Sequence, residues 1–333
     1  MSLEAGKTPK KPLLDVQRLK KFFPVHGPFG SLGGVKGHVK AVNDVSFQLY
    51  EGETFGVVGE SGCGKSTMGR TILRLTEPTD GKALYKGRDI FQLPGNVMRD
   101  IRKELQMVFQ DPYSSLNPRK RIGPALEEHL AIHSIGRKEE RIERVMDIMH
   151  KVGLQMDHYY RYPHEFSGGQ RQRIGLARAL IVSPQIVISD EPVSALDVSI
   201  QSQVINLLQQ LQEEYTLTYL FIAHDISVVR HISDRIGVMY LGQMVEQAST
   251  DSLFATPLHP YTQALLSAVP VANPRRKRER IILKGEIPSP LHPPSGCIFH
   301  TRCPYVMDVC KTEAPVTQQM SPHHQVSCHL YSH

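Results

Sequence analysis

The stretch Gly59-Glu60-Ser61-Gly62-Cys63-Gly64-Lys65-Ser66-Thr67 decides the fold. It has the form G-x-x-x-x-G-K-[ST]. The apolar run Thr54-Phe55-Gly56-Val57-Val58 precedes it and a segment that reads as helix follows, the strand, loop, helix order a phosphate-binding loop requires. Gly59, Gly62 and Gly64 let backbone N–H groups converge on phosphate oxygens without a Cβ in the way. The helix start adds unpaired donors and the positive end of its dipole. Lys65 is placed to reach β- and γ-phosphates, and the Ser66 hydroxyl to ligate Mg²⁺. The expected nucleotide contacts are therefore Gly59, Ser61, Gly62, Cys63, Gly64, Lys65, Ser66 and Thr67. As a thiol beside the phosphates, Cys63 is expected to react with alkylating agents unless nucleotide covers it.

The chain has 333 residues, enough for two or three structural units. No run approaches the roughly 20 apolar residues of a bilayer-crossing helix, and the N-terminus has no apolar secretory core. A cytoplasmic location is expected unless a partner holds the chain at a membrane. Lys and Arg outnumber Asp and Glu by 39 to 33, an excess that suits nucleotide, anionic lipid or nucleic acid alike. Its sharpest concentration, Arg275-Arg276-Lys277-Arg278-Glu279-Arg280, reads as a solvated linker.

Upstream of the loop, Leu13-Leu14-Asp15-Val16, Val39-Lys40-Ala41-Val42 and Val45-Ser46-Phe47-Gln48-Leu49 read as short strands. The Gly- and Pro-rich segment 24–36 between them reads as a loop. Phe22 and Phe23 precede it, and by spacing either one stacks on a base or simply packs. Downstream, Leu105-Gln106-Met107-Val108-Phe109 has strand character and ends on Gln110, whose amide can face a metal or a water. From residue 111 to 162 the pattern is helical: Ile142, Val145, Met146, Met149 and Val152 share one helix face among charged residues. Phe166-Ser167-Gly168-Gly169-Gln170 opens a further helix and a second N-terminal anion site. The run Gln185-Ile186-Val187-Ile188-Ser189-Asp190-Glu191 reads as a buried strand that delivers two carboxylates to the carboxyl edge of a parallel sheet. There Asp190 can hold Mg²⁺, and Glu191 can orient the attacking water. The strand at 218–223 ends in His224, level with the expected γ-phosphate and able to donate to phosphate or water. Segments 236–240 and 243–246 read as a hairpin closing the sheet. Beyond Pro257 the composition turns to Pro, His and Cys, which reads as a separate extension with few core residues.

In this order the segments resemble the ATP-binding subunits of ABC transporters. Residues 59–67 resemble the Walker A motif, Gln110 the Q-loop glutamine, Ser167-Gly168-Gly169-Gln170 the ABC signature and 186–191 Walker B with its adjoining glutamate. Ser194-Ala195-Leu196-Asp197 resembles the D-loop and His224 the switch histidine. Phe166 stands where the signature commonly has Leu, and Ser189 interrupts the apolar run before Asp190; neither removes a phosphate, metal or water contact. The resemblance narrows to bacterial dipeptide and oligopeptide importers through Gln110-Asp111-Pro112-Tyr113-Ser114-Ser115-Leu116-Asn117-Pro118-Arg119, His259-Pro260-Tyr261-Thr262-Gln263-Ala264-Leu265-Leu266 and the cysteine-bearing tail. It implies an α/β fold: a P-loop NTPase core with an antiparallel β subdomain (13–110 and 163–256), an inserted helical subdomain (111–162) and a C-terminal extension (257–333).

The resemblance also implies ATP and Mg²⁺ as ligands, with Phe23 as the adenine platform. Glu191, His224 and Gln110 would be catalytic, and Ser66, Gln110 and Asp190 would surround the metal. Two ATP-binding subunits would lie head to tail, each site completed by Ser167, Gly168, Gly169, Gln170 and Asp197 of the other. Two transmembrane permease subunits and an extracytoplasmic peptide-binding protein would complete the assembly on the cytoplasmic face of the membrane, and residues 111–119 would be the lever on the permease. No nucleic-acid partner is expected. Other readings remain open: a soluble ABC ATPase acting on nucleic acid or ribosomes, a metal-sensing module, or an importer subunit for nickel or sugar.

Four of the five cysteines, Cys297, Cys303, Cys310 and Cys328, crowd into the tail with spacing C-x5-C-x6-C-x17-C. A terminal group of thiols in a chain without an export signal points to metal rather than disulfides. The ligand count suits zinc or an iron–sulfur cluster, and the absence of a C-x2-C knuckle weighs against a zinc ribbon. The importer resemblance implies a [4Fe–4S] cluster, with zinc as runner-up and His300, His323, His324 and His329 as bystanders.

Overall fold

The computed structural model describes residues 11–27, 30–111, 116–194, 196–269 and 280–332. Residues 112–115 of the expected lever, Ala195 of the D-loop segment and all of the basic run but Arg280 lie outside these ranges.

Strands β1 (Leu14–Gly27) and β2 (Gly30–Leu49) form one long antiparallel hairpin. The expected loop at 24–36 is therefore largely paired strand, with Pro24 opposite His38 and Val25 opposite Gly37. Glycine and proline exclude a helix there, but a hairpin tolerates them where register shifts and bulges absorb the irregularity. Strand β3 (Thr54–Val58) follows, and every residue in it is buried; a strand covered on both faces reads as a continuous apolar run. Helix α1 (Lys65–Ile72) begins immediately after the glycine-rich loop. Strands β4 (Asp80–Tyr85) and β5 (Arg88–Asp89) join the hairpin in a four-stranded sheet of order β2-β1-β4-β5.

Helix α2 (Gly95–Glu104) leads into β6 (Leu105–Val108). The helical stretch then supplies α3 (Ile122–Ile132) and α4 (Lys138–Lys151). Val145, Ile148, Met149 and Val152 are buried in the main apolar cluster, and Ile142 and Met146 pack against it. Helix α5 (Gly168–Leu180) and β7 (Ile186–Asp190) come next, then α6 (Val198–Tyr215) and β8 (Thr218–Ile222). Helix α7 (Ile226–Ile232) leads to β9 (Arg235–Tyr240), which turns at Leu241-Gly242 into β10 (Gln243–Ser249). Helices α8 (Thr250–Ala255), α9 (Pro260–Ser267) and α10 (Asp308–Thr312) and strands β11 (Gln318–Ser321) and β12 (His324–Val326) complete the chain.

The second sheet has eight strands in the order β11-β12-β10-β9-β3-β8-β7-β6. Strands β3, β6, β7 and β8 run parallel and are consecutive neighbours. The residues that follow them, the 59–64 loop, Gln110, Glu191 and His224, therefore leave the sheet along one carboxyl edge, where open α/β sheets bind ligands.

The β9–β10 hairpin does not close the sheet, because β12 pairs with β10 and β11 with β12. Nor is the segment beyond residue 257 poor in core: Tyr261, Leu266, Ile298, Phe299 and Cys310 belong to the main buried cluster. Phe299 packs against Tyr240, Tyr261 and His259, with ring centroids 5.2, 5.6 and 5.5 Å away. The buried Glu246 side chain ties the tail to β10. It accepts from the Leu258 and His259 N–H groups at 2.8 and 2.9 Å, and His324 Nε2 lies 2.7 Å from it. Composition hid this because the buried tail residues are scattered among Pro, His and polar residues.

Candidate functional site

The loop after β3 takes its shape from backbone conformations that side chains disfavour. Gly64 sits at φ +104°, and a Cβ there would fall on the Ala41 carbonyl oxygen. The loop encloses one end of a cavity of about 660 Å³. Ser61, Gly62, Gly64, Lys65, Ser66 and Thr67 line it from the loop and α1, and Gln110, Glu191, Ser194 and His224 line it from the ends of β6, β7 and β8. Val39, Lys40, Ala41, Leu241, Gly242 and Pro290 make the remaining wall.

Lys65 is almost fully buried, and its ammonium donates to the Gly59 and Glu60 carbonyls at 2.7 and 3.1 Å. Ser66 Oγ donates to Asp190 Oδ1 at 2.6 Å. The other Asp190 oxygen is buried without a hydrogen-bond partner, and Arg70 stands 3.7 Å from it. Burial pushes the Asp190 carboxyl up, against the Ser66 hydrogen bond and the Arg70 charge. A carboxylate with an unsatisfied oxygen beside a serine hydroxyl is a donor set suited to a hard divalent cation, so Mg²⁺ fits here.

Glu191 is held in the left-handed region without being a glycine, at φ +47°. Such a residue costs about 1–3 kcal/mol and persists where the surroundings enforce it. Its N–H donates to the Ile222 carbonyl at 2.9 Å, anchoring the turn to β8. The turn aims the carboxylate at two partners: Gln110 Nε2 donates to Oε2 at 3.2 Å, and His224 Nδ1 lies 3.1 Å from the same oxygen. Three residues separated widely in sequence thus meet on one carboxylate oxygen at the cavity wall.

Other expected contacts stand elsewhere. Ser167 caps α5, accepting from the Gln170 N–H while Gln170 Oε1 accepts from the Ser167 N–H. Ser167 and Gly168 are exposed, and neither they, Gly169 and Gln170 nor Asp197 line the cavity. Phe23 also lies off the cavity wall; it pairs with Val39, which lines it, and Lys21 Nζ sits 4.8 Å from the Phe23 ring. Cys63 is buried and does not line the cavity, its Sγ lying 3.7 Å from Lys65 Nζ. Burial raises its thiol, more than the neighbouring Lys65 charge lowers it, so the expected reactivity toward alkylators does not follow; a protonated, covered thiol is a poor nucleophile.

In the tail, Cys297, Cys310 and Cys328 are buried, Cys303 is partly exposed, and none is in a disulfide. Burial raises Cys297 and Cys303 and pushes Cys328 up to about 11, helped by the other three thiols nearby. The four therefore share one neighbourhood. Among the described residues, however, no three His, Cys, Asp or Glu side chains gather closely enough to hold a metal ion, so the expected cluster and its zinc alternative find no formed site.

The loop residue Glu60 has partners the sequence did not suggest. Its carboxylate accepts from Arg302 NH1 and NH2 at 2.7 and 3.1 Å, and its N–H donates to Tyr261 Oη at 2.8 Å. Nothing in sequence spacing pairs residues 60 and 302.

Among the described residues no helix is long and apolar enough to cross a membrane. A profile of the ABC transporter family matches residues 42–194, and one of the oligopeptide/dipeptide transporter C-terminal region matches 245–310. The oligopeptide transport ATP-binding protein AppF of Bacillus subtilis is 57% identical over 323 residues, 96% of this chain and 98% of that one. The dipeptide transport ATP-binding protein DppF of Haemophilus influenzae is 50% identical, covering 95% of this chain and 96% of its own. Among solved structures, the dimeric ABC transporter cassette MJ0796 superposes with a TM-score of 0.63 at 28% identity, over 71% of this chain and 98% of that one. A further structure of that cassette is a post-hydrolysis state with ADP and Pi bound. The carboxyl-edge geometry and these likenesses agree, and the chain belongs to the ABC transporter family, in its oligopeptide/dipeptide transport ATP-binding branch.

Proposed function

We propose that this chain is the ATP-hydrolysing subunit of an importer of dipeptides or oligopeptides, and that the cavity behind the 59–67 loop is one half of its catalytic site. The observation that carries this reading is the meeting of Gln110, Glu191 and His224 beside Lys65 and Ser66 in one cavity. The names of the relatives and the match of the tail region supply the substrate class.

In this reading the triphosphate lies across the loop N–H groups and the start of α1, with Lys65 leaving the Gly59 and Glu60 carbonyls for phosphate oxygens. Ser66 and Asp190, with Gln110, would hold Mg²⁺, which when bound neutralises charge on the β- and γ-phosphates. Glu191 accepts a proton from the attacking water and orients it in line with the γ-phosphate. Gln110 and His224 fix that carboxylate, and His224, which lines the same cavity, would also donate to the phosphate. The exposed Ser167-Gly168-Gly169-Gln170 helix start would face the γ-phosphate bound by a second subunit, with Asp197 beside it. ATP charge would then draw the two subunits together, and hydrolysis would release them. Phe23, paired with the cavity-lining Val39, would cover the adenine. Permease subunits and an extracytoplasmic peptide-binding protein would complete the assembly at the inner face of the membrane. In the tail, Cys297, Cys303, Cys310 and Cys328 offer four unpaired sulfurs in one neighbourhood, the donor number of a [4Fe–4S] cluster or zinc.

Nucleotide titration of Lys65→Ala tests the central reading. Affinity for Mg·ATP should fall at least tenfold, on the order of one lost charge-assisted contact; wild-type affinity would place the nucleotide elsewhere.

A further inference from the structure

The 59–67 loop is held from outside by the C-terminal tail. Glu60 occupies a variable position of the phosphate-loop pattern. Here its carboxylate takes two hydrogen bonds from Arg302, whose side chain is 8% exposed, and its N–H donates to Tyr261 Oη. Arg302 lies between Phe299, packed in the aromatic group with Tyr240 and Tyr261, and Cys303; its guanidinium carbon stands 5.9 Å from the Tyr240 ring. The guanidinium is thus buried against the tail's aromatic group, where Glu60 supplies acceptors for both of its terminal nitrogens. Two carbonyls of the segment so anchored, those of Gly59 and Glu60, hold the Lys65 ammonium.

We propose that Arg302 is a positioning residue for nucleotide binding. Through the forked pair with Glu60 it sets the height of the loop at residues 59–60, and through those carbonyls the resting place of Lys65. A bidentate guanidinium–carboxylate pair fixes direction as well as distance. Removing it lets the loop entrance relax away from the phosphate position and makes ATP bind with an added ordering cost. The chemistry at Glu191, carried at the end of β7 rather than on the loop, is left alone. The tail thereby acts on the ATP site from within the same chain. This rests on the proposed nucleotide site and extends it to a residue more than two hundred positions away.

The test is Mg·ATP titration and steady-state hydrolysis by the full chain, comparing Arg302→Met, Arg302→Lys, Glu60→Gln and the double variant Arg302→Met/Glu60→Gln, with Lys65→Ala as control. Arg302→Met should weaken ATP binding and raise KM about tenfold, the middle of the range for directly coupled neighbours, with kcat within about twofold of wild type. Arg302→Lys, which can make one of the two bonds, should fall between. The double variant should lose no more than Arg302→Met alone, since both changes break one pair. If Arg302→Met does not fold, Glu60→Gln, which keeps one acceptor oxygen for Arg302, should show the same intermediate loss as Arg302→Lys with the tail intact. Wild-type affinity in Arg302→Met and Glu60→Gln alongside a loss in Lys65→Ala overturns the positioning role while sparing the nucleotide site. A fall in kcat with unchanged KM also overturns it. Wild-type affinity in Lys65→Ala overturns the site itself.

Discussion

Glu191→Gln separates binding from chemistry most cleanly, because the substitution keeps size and shape while removing the base. In the folded chain the Glu191 carboxylate is anchored by Gln110 at 3.2 Å and His224 at 3.1 Å on a single oxygen. A glutamine can present its amide oxygen to the same two donors, and the left-handed backbone strain is common to both residues, so the fold should lose less than about 1 kcal/mol. The cavity keeps Lys65, Ser66 and the loop N–H groups, and ATP affinity should stay within about threefold. The amide cannot take a proton from water. General-base contributions of about 10²–10⁴ then predict a drop in turnover of the same size, or about 3–5 kcal/mol on the barrier. The assay is single-turnover hydrolysis of Mg·ATP alongside nucleotide titration of both proteins. Turnover within about threefold of wild type would refute the assignment of Glu191, and loss of ATP affinity in step with turnover would make it a binding residue instead.

Gly64→Ala should distort the loop, since its new Cβ meets the Ala41 carbonyl oxygen at a positive φ; thermal melting and titration should show about 1–3 kcal/mol of lost stability with weakened ATP binding, and an unchanged melt would contradict this geometry. Burial lowers His259 from 6.5 to about 4, so between those values the unfolded chain binds the proton and the folded chain does not. Stability should be complete above about pH 6.5 and should fall by about 3 kcal/mol as pH drops toward 4. Urea midpoints against pH should show that slope, flattened in His259→Asn, whose side chain can still accept from the Tyr261 N–H; identical slopes would contradict it. If the tail thiols hold an iron–sulfur cluster, anaerobically purified protein should be brown and Cys303→Ser should bleach it, whereas colourless protein containing zinc would decide for the alternative and metal-free protein against both.

Much of the site was legible because its parts are local. The G-x-x-x-x-G-K-S loop, the Asp190-Glu191 pair after an apolar run and His224 after another each sit at the end of a strand, and parallel pairing of β3, β8, β7 and β6 brings strand ends together. Gln110 was placed by the same rule. The helix through Val145 and Met149 was legible from its period. Segment 24–36 was not, because glycine and proline rule out a helix without excluding a bulged hairpin. The packed tail was hidden because its buried residues, such as Phe299 and Val326, are scattered and keep no period. Cys63 was misread because position in a phosphate loop does not say which way a side chain points; here it turns into the second apolar cluster with Met68 and Met239. The Glu60–Arg302 pair had no local sign at all.

The most direct measurement is a structure of the Glu191→Gln chain with Mg·ATP. Phosphates should lie over the N–H groups of residues 62–66, with Lys65 moved from the Gly59 and Glu60 carbonyls to phosphate and with Ser66 and Asp190 around the metal. A second ATP-binding subunit should present its signature helix start to the γ-phosphate. Nucleotide bound away from the loop, or a loop left empty at saturating ATP, would contradict the proposed site.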